Sequence, residues 1–102
     1  MSELPTSPWE SVTTDYYGPI DSGEYLISII DEYSRFPVVK IVNSTSAKSG
    51  IPLFDEVFAE FGIPKKVKSD NGPPYNSKEF EQFANYLGFT HQKINHPVLS
   101  TG

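Results

Sequence analysis

Two aspartates stand where their residue type is least expected. Asp15 lies inside Ser-Val-Thr-Thr-Asp-Tyr-Tyr (11–17), a run of strand-forming residues in which Asp is disfavoured. Asp70 opens Asp-Asn-Gly-Pro-Pro (70–74) directly after a short run, Lys65–Ser69, that reads as another strand. If the two strands are neighbours, both carboxylates reach one edge of a sheet, where open α/β sheets bind ligands. Two carboxylates held close repel, and one takes up a proton unless a cation lies between them. Mg²⁺ or Mn²⁺ suits such a pair: a hard ion, oxygen donors, and coordination completed by water and substrate phosphates. Two ions about 3.5–4 Å apart serve phosphodiester chemistry by activating one oxygen and stabilising another. The plain alternative is an Asx turn at Asp70-Asn71-Gly72 and a hydrogen-bonded strand aspartate at Asp15.

The elements that must position this pair follow from pattern. Ser11–Tyr17 predicts a strand with Val12, Thr14 and Tyr16 on one face and Thr13, Asp15 and Tyr17 on the other. Tyr25–Ile30 is nearly all apolar and predicts a strand covered on both faces. Phe36–Val42 predicts a third strand, placed at the sheet edge by Pro37. Ile51, Phe54, Val57, Phe58 and Phe61 recur at helical spacing within 45–61. Pro52 leaves two options: a start near Ile51 with Pro52 in the first turn, or an earlier turn interrupted there. A second helix starts at Asn76 or Ser77, with Glu79 placed for a capping box from Asn76; it buries Phe80, Phe83, Ala84 and Leu87 and stops at Gly88. Phe89–Ile94 predicts the last strand, and 96–102 a Pro-containing loop. The order β-β-β-α-β-α-β is an antiparallel meander followed by two right-handed crossovers, hence a mixed five-stranded sheet with flanking helices.

Composition narrows the classes. The 102 residues carry eight Lys+Arg against thirteen Asp+Glu, a net charge of −5, and no cysteine. The length admits one domain, which buries only about 60–65% of its unfolded surface. The absence of cysteine excludes disulfide scaffolds, thiol chemistry and Cys-ligated zinc. No apolar run approaches ~18 residues, so no helix spans a membrane, and the start does not read as a signal peptide. Residues 1–8 read as a flexible lead-in and 9–102 as the domain. An acidic chain is a poor free-standing nucleic-acid binder. Lys65, Lys66 and Lys68 nevertheless cluster beside Asp70, either as a solvated strand start or as a phosphate-facing patch. Trp9, Tyr16, Tyr17 and Tyr75 read first as packing residues and second as bases' stacking partners. His91 reads as a core histidine, and Asp21 and Asp31 as turn residues without a metal.

Five segments together resemble a known family. They are Pro8-Trp9-Glu10 with Thr14-Asp15-Tyr16-Tyr17-Gly18-Pro19, Ile30-Asp31-Glu32-Tyr33-Ser34-Arg35-Phe36-Pro37, Phe61-Gly62-Ile63-Pro64, Lys68-Ser69-Asp70-Asn71-Gly72-Pro73-Pro74-Tyr75, and Lys78-Glu79-Phe80. As a set they resemble the catalytic core of integrases of gypsy-type LTR retrotransposons, relatives of retroviral integrases. The resemblance implies a ribonuclease-H-like fold and a triad of two Asp and one Glu that binds two Mg²⁺ or Mn²⁺ ions. It maps the first two acids onto Asp15 and Asp70. It places the third about 35 residues after Asp70, just past Gly102, so the chain is expected to be a C-terminally incomplete core, its final helices truncated and inactive alone. It also implies 3′-end processing and strand transfer by the complete protein, element and target DNA as partners, self-association, and an intracellular, nuclear point of action. Asn71, Gly72 and His96 join the three lysines as DNA-contact positions. A different class fits the same chain: a non-catalytic interaction module from a host-adopted or degenerate element copy. A glutamate shortly after Gly102 separates the two, and a strand-transfer assay separates an integrase from a related metal nuclease.

Overall fold

The computed structural model describes residues 4–94. Its elements are β1 (Ser11–Tyr17), β2 (Tyr25–Asp31), β3 (Pro37–Val42), α1 (Ala47–Phe61), β4 (Lys66–Ser69), α2 (Lys78–Leu87) and β5 (Thr90–Lys93). The sheet order is β3-β2-β1-β4-β5. β1 pairs antiparallel with β2, and β2 with β3, whereas β1 and β5 each pair parallel with β4. The meander and the two crossovers are thus as patterned, and Pro37 does lie on an edge strand, where a missing donor is tolerated.

Both helices pack on one face. Phe54, Val57 and Phe58 of α1 and Phe80 and Ala84 of α2 close over Val12, Ile27, Ile29, Val42 and Val67. Aromatic rings fill the seam, with Phe54 edge-on to Phe80 at 5.5 Å and to Tyr75 at 6.2 Å. The other face has no helix over it among the described residues. β2 therefore alternates: Ile27 and Ile29 are buried while Leu26, Ser28 and Ile30 are only partly so. This corrects the expectation of a strand covered on both sides. Val39 and Ile41 on β3 remain 55% and 58% exposed.

The helix ends explain two further differences. α1 begins at Ala47, where the Ser46 hydroxyl accepts from the Ser49 amide, and it runs through Pro52. Of the two options, the earlier start is the observed one. Pro52 removes one intrahelical donor, but the buried face of α1 outweighs the lost bond. Ser77, not Asn76, caps α2, its hydroxyl accepting from Phe80 N–H at 3.0 Å. The third helical position is then Phe80, so Glu79 closes no capping box. Gly88 ends the helix in the left-handed region, φ 89°.

Gly50 shows how tightly α1 sits on β1. A Cβ there would run into the Tyr16 hydroxyl, which is buried and has no hydrogen-bond partner among the described residues. Gly50→Ala is expected to destabilise by about 1–3 kcal/mol through overpacking, despite a helix-propensity gain of about 1 kcal/mol. With Tyr16→Phe the clash disappears, because the next atom, Tyr16 Cζ, is 3.6 Å away. In that background Gly50→Ala should become stabilising. A denaturant-unfolding double-mutant cycle reads the sign change.

Candidate active site

Register brings the two aspartates together. β1 and β4 pair with Ser11 opposite Lys66, Val12 opposite Val67 and Thr13 opposite Lys68. Carried two steps further, the same offset would set Asp15 opposite Asp70, which lies one residue past the end of β4. Alternation turns Asp15 to the helix-free face, and Asp15 and Asp70 border one pocket of about 180 Å³ with Thr13, Tyr17, Ser28 and Lys68. A larger cavity, of about 620 Å³, lies between α2 and β5. It contains one carboxylate, Glu81, so the chemistry and not the volume locates the site.

Each carboxylate is oriented locally. Asp15 Oδ1 accepts from Tyr16 N–H at 2.9 Å, and Asp70 Oδ1 accepts from Gly72 N–H at 2.9 Å. The second contact is the Asx turn read from the sequence; the other oxygen of each acid has no hydrogen-bond partner among the described residues. The donor set fits a divalent cation: two hard carboxylates at a solvent-open pocket, with the remaining positions left to water and phosphate oxygens. Among the described residues no group of three His, Cys, Asp or Glu side chains converges.

The other predicted site residues are distributed unevenly. Asn71 is exposed and Gly72 partly so, both in the Asp70 loop. Lys68 borders the acid pocket, but its side chain is buried and its Nζ lies 3.2 Å from Glu32 Oε1, which also accepts from the Ser11 hydroxyl. Its charge is thus directed at Glu32. Lys65 is exposed and Lys66 half-buried at the opposite end of β4, about 13 Å along the strand from Asp70. His96 lies outside the described residues. Tyr75 and Tyr16 are packing residues, ring centroids 5.7 Å apart, and Trp9 packs on Phe61 at 5.3 Å. Tyr17 alone of the four stays 57% exposed, at the pocket.

Two supports were not read from the sequence. Tyr75 Oη and Thr14 Oγ1 hydrogen-bond at 2.8 Å beneath the acids. Burial raises the Tyr75 hydroxyl far above its ordinary 10.0, against the Thr14 hydrogen bond, and neighbouring Tyr16, Asp15 and Asp70 add to the rise. It is a neutral hydroxyl at any working pH. The second support is Ser69, whose hydroxyl donates to the Asp70 carbonyl at 2.8 Å and lies 2.7 Å from His91 Nε2. The serine has one proton to give, so Nε2 carries the proton on the histidine. His91 also sits edge-on to Phe80 at 4.9 Å, which makes it the core histidine expected. Burial, and then Lys93, hold its pKa below 6.5. The unfolded chain therefore binds the proton first, so His91 favours folding above pH 6.5 and that contribution drains away as pH falls below it. Thermal midpoints should drop on acidification below pH 6.5, and His91→Gln should flatten that decline.

Comparison with known proteins gives the family and the fold. Residues 4–95 match the integrase core domain family. The chain belongs to that family. It is 34% identical over 89 residues to an uncharacterized protein of Caenorhabditis elegans, covering 87% of the chain and 7% of that protein. It is 32% identical over 88 residues to the Gag-Pro-Pol polyprotein of Simian retrovirus SRV-1, covering 86% and 5%. It is 31% identical over 96 residues to the Transposon Tf2-3 polyprotein of Schizosaccharomyces pombe, covering 87% and 7%. The chain thus spans under a tenth of the length of these relatives. The integrase catalytic core domain of HTLV-2, solved with magnesium in a trimeric form, superposes with a TM-score of 0.79 at 21% identity, covering 87% of this chain and 62% of that one. A chain of the simian T-cell lymphotropic virus intasome, solved in complex with PP2A regulatory subunit B56 gamma, superposes at 0.78 and 22% identity, covering 89% of this chain and 36% of that one. The fold is therefore the ribonuclease-H-like integrase core.

Proposed function

We propose that this chain is the acid-bearing part of a DNA integrase of an LTR element. In the longer protein it serves 3′-end processing and strand transfer. The observation that carries the reading is the one solvent-open pocket that Asp15 and Asp70 border together, beside the paired strands β1 and β4. Membership in the integrase core family supports it. In both reactions an oxygen, of water and then of a DNA 3′-hydroxyl, bonds to phosphorus as the opposite P–O bond breaks. Divalent ions, when bound, supply activation of the attacking oxygen and stabilisation of the leaving one.

The residues of this chain hold and orient. Asp15 and Asp70 hold Mg²⁺ or Mn²⁺, and the Gly72 amide fixes the Asp70 carboxylate. Asn71 and Gly72 lie where a DNA backbone would approach, and Tyr17 offers an exposed ring for a base. Self-association on DNA in the nucleus completes the reading, and a net charge of −5 calls for basic segments elsewhere in the longer protein to supply phosphate contacts. Metal-induced stabilisation tests it: Mn²⁺ at ten times its Kd should stabilise the chain by about 1.4 kcal/mol, and Asp15→Asn or Asp70→Asn should abolish the gain. Wild-type protein indifferent to Mn²⁺ overturns the metal reading and leaves a scaffold domain.

A further inference from the structure

The two acid-bearing segments belong to different elements, and nothing in the β1–β4 ladder reaches Asp70, which lies one residue past the end of β4. The Asp70 carboxylate is carried by a loop that returns to the fold at Tyr75. Tyr75 is 2% exposed and Thr14 is 4% exposed. Thr14 is the residue before Asp15 and, by strand alternation, points to the opposite face. Tyr75 comes up beneath that face, wedged edge-on against Phe54 and Phe80 at 6.2 and 5.4 Å, and its hydroxyl meets Thr14 Oγ1 at 2.8 Å.

We propose that the Thr14–Tyr75 hydroxyl pair is the tie that holds the Asp70 loop in register with Asp15, making both positioning residues of the cation site. The inference rests on the metal reading above and goes beyond it by assigning residues that touch neither cation nor substrate. An apolar contact would serve packing equally well. A hydroxyl pair instead fixes the loop at one point along β1, because each buried hydroxyl, deprived of the other, loses a partner at a cost of about 1–3 kcal/mol. The tie acts on both acids, for Thr14 is bonded to Asp15 through the main chain and Tyr75 closes the six-residue loop from Asp70. Tyr75 also lies within electrostatic reach of both carboxylates.

The paired substitution separates positioning from stability. Tyr75→Phe or Thr14→Val alone leaves one buried hydroxyl unpartnered and should lower stability. Thr14→Val with Tyr75→Phe removes both hydroxyls at almost constant shape, which is close to neutral for folding. The double variant should therefore regain the wild-type unfolding midpoint while binding Mn²⁺ about 10–100-fold more weakly, the usual effect of losing an outer support of a metal ligand. Mn²⁺-induced broadening of amide resonances at Asp15 and Asp70–Gly72 measures the affinity. Hydrogen exchange of the Gly72 amide, which reports the Asp70 contact, should speed up about tenfold in the double variant without metal. Wild-type affinity and Gly72 exchange in the folded double variant overturn this inference alone. Absence of Mn²⁺ broadening that depends on Asp15 and Asp70 in the wild type overturns the underlying metal reading and this assignment with it.

Discussion

Asp31→Ala should be the most destabilising substitution outside the hydrophobic core, costing about 3–4 kcal/mol and lowering the thermal midpoint by more than about 12 °C. Asp31 is 2% exposed, yet its carboxylate is fully engaged. Oδ1 accepts from Trp9 N–H at 2.8 Å and Tyr33 N–H at 3.3 Å, while Oδ2 accepts from Ser34 N–H at 3.2 Å and the Ser34 hydroxyl at 2.7 Å. Its own main chain closes the β2–β3 turn through Arg35 N–H to Asp31 O at 2.7 Å and Asp31 N–H to Phe36 O at 3.0 Å. The side chain thus ties the entry to β1 to that turn, and alanine would strand three amides at once.

The pH dependence of the same residue has a definite sign. Burial pushes the Asp31 carboxyl upward, but the hydrogen bonds from Ser34, Trp9 and Tyr33 together outweigh it, and the net shift is downward from 3.8. Asp31 therefore stabilises the fold fully above pH 3.8, and the contribution is lost as pH falls through its lower folded value. Asp31→Asn keeps one carbonyl oxygen but presents an amide donor to backbone donors. It should sit between wild type and alanine at neutral pH and show a shallower loss of stability below pH 3.8. Midpoints measured from pH 5 to 2 check both statements, and equal acid slopes in wild type and Asp31→Asn would show that the knot does not titrate.

Asp31 also marks how far the chain is legible as text. The strand alternation around Thr14 and Asp15, the edge placement of Pro37 and the helical stripe from Phe54 to Phe58 are local periodicities, and each survives in the fold because packing acts on the same period. The neighbourhood of β1 and β4 stood only as a condition in the sequence; the observed pairing supplies it, and with it the pocket that Asp15 and Asp70 share. What stayed hidden depends on distant pairs. Asp31 read as a turn residue because Asp-x-x-Ser announces the bond to Ser34 and says nothing of Trp9. Tyr75 read as packing because its hydroxyl partner, Thr14, lies sixty-one positions away. Lys68 read with Lys65 and Lys66 as one cluster, but its burial and its ion pair with Glu32 set it apart from them. The apolar run of β2 suggested two covered faces because periodicity reports hydrophobicity, not which element supplies the cover.

The largest functional effect is expected at the acids themselves. In the longer protein, Asp15→Asn and Asp70→Asn should each lower strand transfer by about 10³-fold or more. That is about 4 kcal/mol of transition-state stabilisation, the scale on which a bound cation acts at a phosphoryl group. The exchange is nearly isosteric, and the contacts that orient the carboxylates survive it. An asparagine carbonyl still accepts from Tyr16 N–H at position 15 and from Gly72 N–H at position 70. Neither residue is in the hydrophobic core, so folding should be unchanged, or improved by relief of repulsion between neighbouring carboxylates. A defect confined to chemistry and cation binding, with an unaltered unfolding midpoint, distinguishes a catalytic pair from a structural one such as Asp31, where stability falls first. Strand-transfer rates and metal-free unfolding curves for the same variants make the comparison. A full-rate Asp70→Asn protein would show that register alone had paired two acids that do no chemistry.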